Sequence, residues 1–551
     1  MRGGLVLCLR AAGEPTVSLD GPVSQLRWHR GSAEEHSSGR LQIASLVDGR
    51  DGPFVELAGG RTLVTHGVPP ERVESMQENP GRFVGIEWDG QTFSVIRDPM
   101  GEVPLFYRRV GDELWFSTEI QPLLGLATAN PDFEALTAFA AWVDHPARTG
   151  WEGVYRVLPG EILHVDPQLR VRGVRYWSPR IVGRRSAPSY PDAVDRFRDL
   201  FSQAVARRVS PGAGVLLSGG LDSAAVAVVA ALTSTPAFVS IVHPHLPEVD
   251  ETKYAEAVSS LAGIPLVTRE GGLKPWDPAE DIETFGMPPG MLPTGMLTDA
   301  LEHLVSLGCD TALDGHDGDG VLGNTNAKLG NALLDGELLT LGQVARDHGV
   351  SLIGRETLKD FMPPSVWSWL RRQPKAFTHS DSLMPYFRGA THKRLAAEFR
   401  WRPPRSDWEH AELNALLPPN TRGFEEIELL GARFGIDVQH PFADRDLIEF
   451  LVRLPHSVKT SLTRTKPLLR DALVDLLPRS VIERPDKTDF TAVIDARVDF
   501  HACFQAIRDS GVRFPEVDYG RLFRDASKPQ RNRFFWTRLT SAHVFVAGVR
   551  G

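Results

Sequence analysis

Positive charge, cysteine and long apolar runs are all scarce in this 551-residue chain. Its 61 basic residues stand against 70 acidic ones, a net charge of -9, and no basic tract resembles a phosphate-tracking stripe, so nothing favours sequence-independent nucleic-acid binding. Three cysteines occur, Cys8, Cys309 and Cys503. An odd number so widely separated argues against a disulfide framework and a thiolate metal site, and suits a reducing cytoplasm. The longest apolar stretches, such as residues 224–232, fall short of the roughly 20 residues of a membrane span, and residues 5–9 are too short for the core of a secretion signal. The expectation is a soluble, cytoplasmic protein with neither nucleic acid nor membrane as partner. What is present is ordinary globular composition, 42% apolar and 24% charged, in a chain long enough for two to four domains.

Up to about residue 180, short alternating runs are broken by turns. Phe83-Val84-Gly85-Ile86-Glu87-Trp88, then Asp89-Gly90, then Thr92-Phe93-Ser94-Val95-Ile96 predict a hairpin. Pro104-Leu105-Phe106-Tyr107 and Leu114-Trp115-Phe116-Ser117, flanking Gly111-Asp112, predict a second. The first domain, residues 1–183, is therefore strand-rich. The polar, turn-prone Arg184-Arg185-Ser186-Ala187-Pro188 opens a second domain, residues 184–551, whose first helix is expected over residues 190–209. Strands at 215–217, 238–242, 265–268 and 311–313 alternate with helices beginning at Ser223 and covering 253–261 and 298–307. Such alternation implies a doubly wound parallel sheet with ligands at the carboxyl ends of its strands. Beyond residue 330 the pattern turns mostly helical, and residues 361–408, rich in Pro, Arg and Trp, have no clear place in it.

Chemistry concentrates where the strand Val215-Leu216-Leu217 runs into Ser218-Gly219-Gly220-Leu221-Asp222-Ser223 and then a helix. Two glycines let the backbone approach an anion, the helix N-terminus directs N–H groups at it, and the serines add hydroxyl donors. That combination is a pyrophosphate cradle. No Gly-Lys-Ser/Thr ending follows, so a Walker loop is not indicated. A carboxylate among phosphate-binding donors makes sense where a cation bridges it to the phosphates, and Mg²⁺ is the natural candidate for Asp222.

Residues 218–223 resemble the pyrophosphate motif of the asparagine synthetase family of N-type ATP pyrophosphatases. Gly81-Arg82-Phe83, Arg97-Asp98-Pro99-Met100-Gly101, Ser117-Thr118-Glu119-Ile120 and Leu158-Pro159-Gly160 resemble that family's glutaminase half, which implies an Ntn-hydrolase-like fold for the first domain. Gly315-His316-Asp317-Gly318-Asp319, His440-Pro441-Phe442-Ala443-Asp444, Thr465-Lys466-Pro467 and Arg484-Pro485-Asp486-Lys487 resemble its synthetase half. The resemblance implies ATP and Mg²⁺ as cofactors, an acyl-adenylate intermediate, and an amine that attacks it to give an amide. It further implies that Asp222 and Asp319, in loops after two parallel strands, hold Mg²⁺. Gly315 belongs to the nucleotide site, and Lys466 and Lys487 face the phosphates, Lys487 also neutralising the tetrahedral oxyanion. Leu216 and Ile241, at strand ends, would present backbone groups to adenine; equally they are plain core residues.

Several positions depart from the family. Active glutaminases carry a cysteine right after the initiator methionine, where this chain has Arg2; Cys8 sits in an apolar strand-like run and reads as structural. The Asn-Gly-Glu glutamine-binding string is replaced by His66-Gly67-Val68-Pro69-Pro70, and of the usual glutamine contacts only Asp98 remains. The first domain is thus expected to be a degenerate glutaminase that supplies no ammonia. Members that make asparagine or a β-lactam carry a glutamate right after the glycine of their Gly-Glu-Gly-Ala-Asp-Glu string, and this chain has His316 there. An imidazole of reference pKa about 6.5 can serve as base for a peptide α-amine of about 8; equally, His316 is a hydrogen-bonded loop residue.

A dead glutaminase half, a complete adenylating half and Arg484-Pro485-Asp486-Lys487-Thr488-Asp489-Phe490 together resemble the lasso-peptide macrolactam cyclases. By that resemblance, the enzyme adenylates an Asp or Glu side chain of a precursor peptide and lets the peptide's N-terminal amine close an isopeptide ring. The implied partners are the precursor peptide, a leader peptidase and a leader-recognition protein. Residues 361–408 would line the peptide pocket or pack as ordinary helices. Competing readings are an ammonia-using asparagine synthetase, a small-molecule amide or β-lactam synthetase, and a non-catalytic partner protein.

Overall fold

The computed structural model describes residues 5–10, 18–27, 32–38, 41–47, 54–57, 61–66, 81–88, 92–142, 144–178, 188–272, 274–290, 295–322, 346, 386–388, 418–454, 456–459, 461, 464–484, 488, 490–524 and 533–550. Two antiparallel six-stranded sheets build the first domain. One has the order β10-β8-β9-β1-β3-β2, from β1 (Leu5–Arg10), β2 (Ser32–Ser38), β3 (Leu41–Val47), β8 (Phe106–Val110), β9 (Glu113–Ser117) and β10 (Val154–Arg156). The other runs β12-β11-β7-β6-β5-β4, from β4 (Phe54–Leu57), β5 (Arg61–His66), β6 (Val84–Trp88), β7 (Phe93–Arg97), β11 (Glu161–Val165) and β12 (Val171–Arg175). Leu5, Leu7 and Leu9 of β1 share one core with Val84, Ile86 and Val95 of the other sheet, so the two sheets stack face to face. Val6 and Cys8, alternating to the opposite face, join a second core with Leu19, Ile120 and Leu123. With both faces covered, β1 is buried throughout. The two expected hairpins are the pairs β6/β7 and β8/β9.

The second domain opens with the helix Tyr190–Ala206, three residues shorter than expected. A five-stranded, wholly parallel sheet follows, from β13 (Ala213–Leu216), β14 (Ala237–Val242), β15 (Leu266–Glu270), β16 (Thr311–Leu313) and β17 (Asp437–Gln439). Its order is β15-β14-β13-β16-β17. The chain direction across the sheet therefore reverses between β13 and β16, the switch point where ligands of such sheets bind. The helix Leu221–Ala231 buries eight consecutive residues, Ser223 to Ala230, because the sheet lies on one side of it and further helices on the other. It begins at Leu221 rather than Ser223, which moves Asp222 from a loop into the first helical turn. Asp319 likewise lies within a short helix, Gly318–Leu322. Both corrections have one cause: Gly220 and Asp317 already occupy the turns that let each helix start.

The two domains share a core where Leu136 and Phe139 of the helix Phe133–Ala140 meet Trp536, Leu539 and Phe545 of the helix Arg533–Arg550. The boundary expected at residues 183 and 184 lies outside the described residues. Of residues 361–408, only 386–388 are described, and Tyr386 and Phe387 pack in this same core, with Tyr386 stacked on Phe535 at 5.2 Å. Among the described residues, no helix is long and apolar enough to cross a membrane.

Candidate active site

β13 ends at Leu216, and Leu217 leads into a turn that requires glycine at 219. Its φ is +87°, and a Cβ there would lie 2.6 Å from the Glu251 carbonyl oxygen. Gly220 caps the helix without a side chain, while the Ser218 and Ser223 hydroxyls lie 3.0 Å apart across the turn. Backbone N–H groups of a first helical turn and two hydroxyls thus converge in an arrangement that could hold an anion. From the neighbouring strand β16, Asp314 and Gly315 lead to His316 and the Gly318–Leu322 helix. Gly315 packs so closely on the first loop that a Cβ would lie 2.6 Å from the Ser223 nitrogen.

Between these loops opens a cleft of about 410 Å³, within the size range of ligand pockets. Leu216, Ser218, Gly220, Leu221, Asp222, Ser223, Gly315, His316, Asp319 and Lys466 all line it. Gly219 is not among the lining residues and packs against Glu251. Ile241 stands at the end of β14, half-buried, and is not among the lining residues. Lys487, like Arg2, lies outside the described residues.

Lys466 is held in the left-handed region at φ +50°, immediately before the helix Pro467–Ala472. Its ammonium lies 2.7 and 2.5 Å from the two Asp222 oxygens and 2.5 Å from Asp319 Oδ1. Burial works against this charge, but Asp222 and Asp319 outweigh it and raise the lysine above its ordinary value. The two carboxylates therefore converge within reach of a single cation. That matches the donor set Mg²⁺ takes when it binds through one or two carboxylates and completes its shell with phosphate oxygens and water. Asp222 and Asp319 are the residues that would hold the ion.

Sequence reasoning passed over several cleft residues. Arg484 pairs with Glu251 at 2.5 Å, reaches the Gly219 carbonyl at 3.4 Å and lies 4.3 Å over the Tyr254 ring, fastening the 218–223 loop. Arg470 joins this region to the Lys466 turn by donating to the carbonyls of Thr465 and Arg484. Arg484 opens a recognised string, so a signal existed; Glu251 had none. Asp317 occupies a left-handed position, φ +64°, and its Oδ2 is buried without a hydrogen-bond partner among the described residues. Burial pushes its carboxyl up to about 8, with Asp319 and Asp222 adding to the rise while His440 and Lys466 oppose it. His440 binds Asp314 through Nδ1 at 2.8 Å. Burial lowers the His440 pKa, yet Asp314 prevails and raises it. His316 stands beside this pair, its ring 5.5 Å from that of His440 and edge-on to Phe424 at 5.2 Å. Burial pushes His316 down to about 4, helped by His440 and resisted by Asp314. Near neutral pH it is a neutral imidazole and a weak base.

Residues 196–527, which take in the parallel sheet, both loops and Lys466, match the asparagine synthase family. The chain belongs to that family. Residues 73–177 of this asparagine synthase family protein match a glutamine amidotransferase domain, so an Ntn-like amidotransferase fold precedes the synthase domain. Asparagine synthetase (glutamine-hydrolyzing) 3 of Bacillus subtilis (strain 168) is 25% identical over 440 residues, 73% of this chain and 66% of that protein. Carboxyethyl-arginine beta-lactam-synthase of Streptomyces clavuligerus is 33% identical over 153 residues, 27% of this chain and 28% of that protein. Amidase chyE of Penicillium rubens (strain ATCC 28089 / DSM 1075 / NRRL 1951 / Wisconsin 54-1255) is 31% identical over 153 residues, 27% of this chain and 23% of that protein. This family member spans slightly less than two thirds of the first of these and about a quarter of the others.

In its amidotransferase half, Cys8 is fully buried in β1 and burial raises its thiol far above the range of a reactive nucleophile. Asp98 is equally buried. Its carboxylate accepts the backbone N–H groups of Met100, Gly101, Glu102 and Val103, which occupies both oxygens in shaping its own loop.

Proposed function

We propose that this protein is an ATP-dependent macrolactam cyclase of the lasso-peptide kind, working in the family's amide-forming manner. The observation that carries this reading is Asp98. Asp98, by resemblance the last of the usual glutamine contacts, turns its carboxylate to four backbone N–H groups of its own loop, and Cys8 is buried in β1, while the cleft of the other half keeps its glycine loop, paired aspartates and lysine. An amine donor other than glutamine is then needed, and a peptide N-terminus supplies one.

In this reading, an Asp or Glu side-chain oxygen of the precursor peptide attacks the α-phosphorus of ATP, the bond to the bridging oxygen breaks, and pyrophosphate leaves into the cradle of residues 218–223. Lys466 and the first-turn N–H groups stabilise its charge. Mg²⁺ held by Asp222 and Asp319 would supply further neutralisation of the phosphates. The peptide's N-terminal amine next attacks the acyl carbon, the bond to AMP breaks, and the amine's proton passes to solvent. Lys487 is the group proposed to neutralise the oxyanion in that step. His316, neutral near pH 7, accepts a hydrogen bond from the incoming amine. Because the amine and the adenylate belong to one molecule, high effective concentration makes a strong base unnecessary. The precursor peptide, a leader peptidase and a leader-recognition protein are the proposed partners.

A second reading, an amide or β-lactam synthetase acting on a small molecule, draws on the 153 residues that are 33% identical to carboxyethyl-arginine beta-lactam-synthase. Incubation with Mg-ATP and the leader-free peptide encoded beside the gene separates the two. The cyclase converts the peptide to a ring and releases AMP and pyrophosphate, whereas the N-acetylated peptide yields adenylate without ring. Ring formation from the acetylated peptide, or release of ADP, overturns the proposal.

A further inference from the structure

Three arginines of the amidotransferase half end on one acidic helix of the synthase half. Arg97, at the end of β7, gives Nη1 to Glu425 Oε1 at 2.8 Å, and Arg156, at the end of β10, gives Nε to Glu425 Oε2 at 2.8 Å. Arg82, just before β6, lies 2.6 Å from Glu428 Oε1, 2.6 Å from Asp437 Oδ1 and 2.7 Å from the Val438 carbonyl. Glu425 and Glu428 are three residues apart on the helix Pro418–Phe434 and share one face. All five side chains are buried. Neighbouring guanidiniums hold Glu425 ionised against the cost of its burial.

Arg97 is itself immobilised, donating also to the carbonyls of Val103, Val157 and Gly101. A carboxylate gripped at each oxygen by a guanidinium from a different strand has one position available to it. Buried ion pairs contribute little net stability compared with apolar packing, but they are directional, and breaking one is costly. Fixed placement of the helix is what this arrangement supplies.

The same turn of helix backs the cleft. Phe424, fully buried, sets its ring edge-on to His316 at 5.2 Å and 82°, and lies 5.0 Å from His440. Gly423 passes so near that a Cβ would lie 3.4 Å from His316 Nε2. Residues 423–425 thus carry the backrest of His316 on one side and the arginine clamp on the other.

We propose that Glu425 is a positioning residue of the synthase cleft, and that the amidotransferase half is kept to hold it: Arg97 and Arg156 fix Glu425, and Phe424 fixes His316 and its loop. This rests on His316 lining the cleft and not on which amide the enzyme forms.

Hydrogen–deuterium exchange on the full chain tests it, with Glu425→Gln and Arg156→Lys, the second keeping the charge but shortening its reach. In both variants, amides of residues 314–322 should exchange at least about tenfold faster, since local opening governs their protection. The helix Leu221–Ala231 should exchange as in the wild type, because the 218–223 loop hangs from β13 and not from the helix Pro418–Phe434. Loosening confined to residues 418–434 would make the clamp simple interface glue. A uniform rise that includes Leu221–Ala231, or failure of both variants to fold, would mean that the clamp holds the fold and not the cleft. Each of these overturns the proposal. If only Glu425→Gln fails to fold, the Arg156→Lys exchange pattern decides.

Discussion

The Lys466 ammonium lies 2.7 and 2.5 Å from the two carboxylate oxygens of Asp222, a residue 244 positions earlier in the chain. The parallel sheet makes this meeting possible by placing the β13 and β16 loops side by side, and Lys466 closes over both from a left-handed turn. A cation thus lies between two aspartates, beside a glycine-built turn at a helix N-terminus.

Asp222→Ala and Asp319→Ala should each abolish ATP–pyrophosphate exchange, with little recovery at saturating Mg²⁺. Each variant also leaves Lys466 with a single carboxylate partner, so a modest loss of stability is expected, smaller for Asp319, which is the more exposed. Exchange near wild type in either variant would remove that aspartate from the metal site.

Gly219→Ala should be damaging out of proportion to one methyl group. The φ of +87° alone costs an L-residue roughly 1–2 kcal/mol, and the new Cβ meets a backbone carbonyl that cannot yield. Urea denaturation should report a loss of about 1–3 kcal/mol, and ATP affinity should fall at least about tenfold as the loop is displaced. An unchanged midpoint together with unchanged affinity would show that the turn is not the one described.

His316 links stability to pH. Its folded pKa of about 4 lies below the ordinary 6.5, so between these values the unfolded chain takes up a proton that the folded protein refuses. The contribution is complete above pH 6.5 and is lost as pH falls toward 4. His316→Gln should therefore lose less stability on acidification, by up to about 2 kcal/mol at about pH 5, somewhat less where solvent at the cleft mouth screens the site. His145 and His543 are also depressed by burial, but they titrate alike in both proteins and cancel. Identical pH profiles would mean that His316 is not buried in the neutral form.

Lys487→Ala should leave Mg-ATP binding measurable while slowing turnover by orders of magnitude, because stabilisation concentrated in the transition state affects rate more than affinity. Weaker nucleotide binding at unchanged turnover would move Lys487 out of the proposed catalytic role.

Much of the fold was legible because its signals are local. Hairpin alternation around Asp89-Gly90, and the run from strand through Ser218-Gly219-Gly220 into a helix, are fixed by residues within a dozen positions of one another. β17 escaped notice because three residues, Asp437–Gln439, carry no period, and only pairing with β16 makes them a strand. Asp317 lay inside a recognised string, yet its left-handed backbone cannot be read from residue type. The clamp on Glu425 was least visible, since Arg97 is 328 positions away and nothing in an acidic helix names the arginines that will meet it. Asp98 was legible as part of a string, but that its carboxylate would accept the N–H groups of its own loop was not.

One measurement decides where the amine comes from. The protein is incubated with Mg-ATP, the leader-free peptide, and both amide-labelled ¹⁵N-glutamine and ¹⁵N-ammonium, and the product is weighed by high-resolution mass spectrometry. The product should be one water lighter than the peptide and free of ¹⁵N, formed equally well when glutamine and ammonium are left out. A product that carries ¹⁵N would contradict this and make the enzyme an amide synthetase.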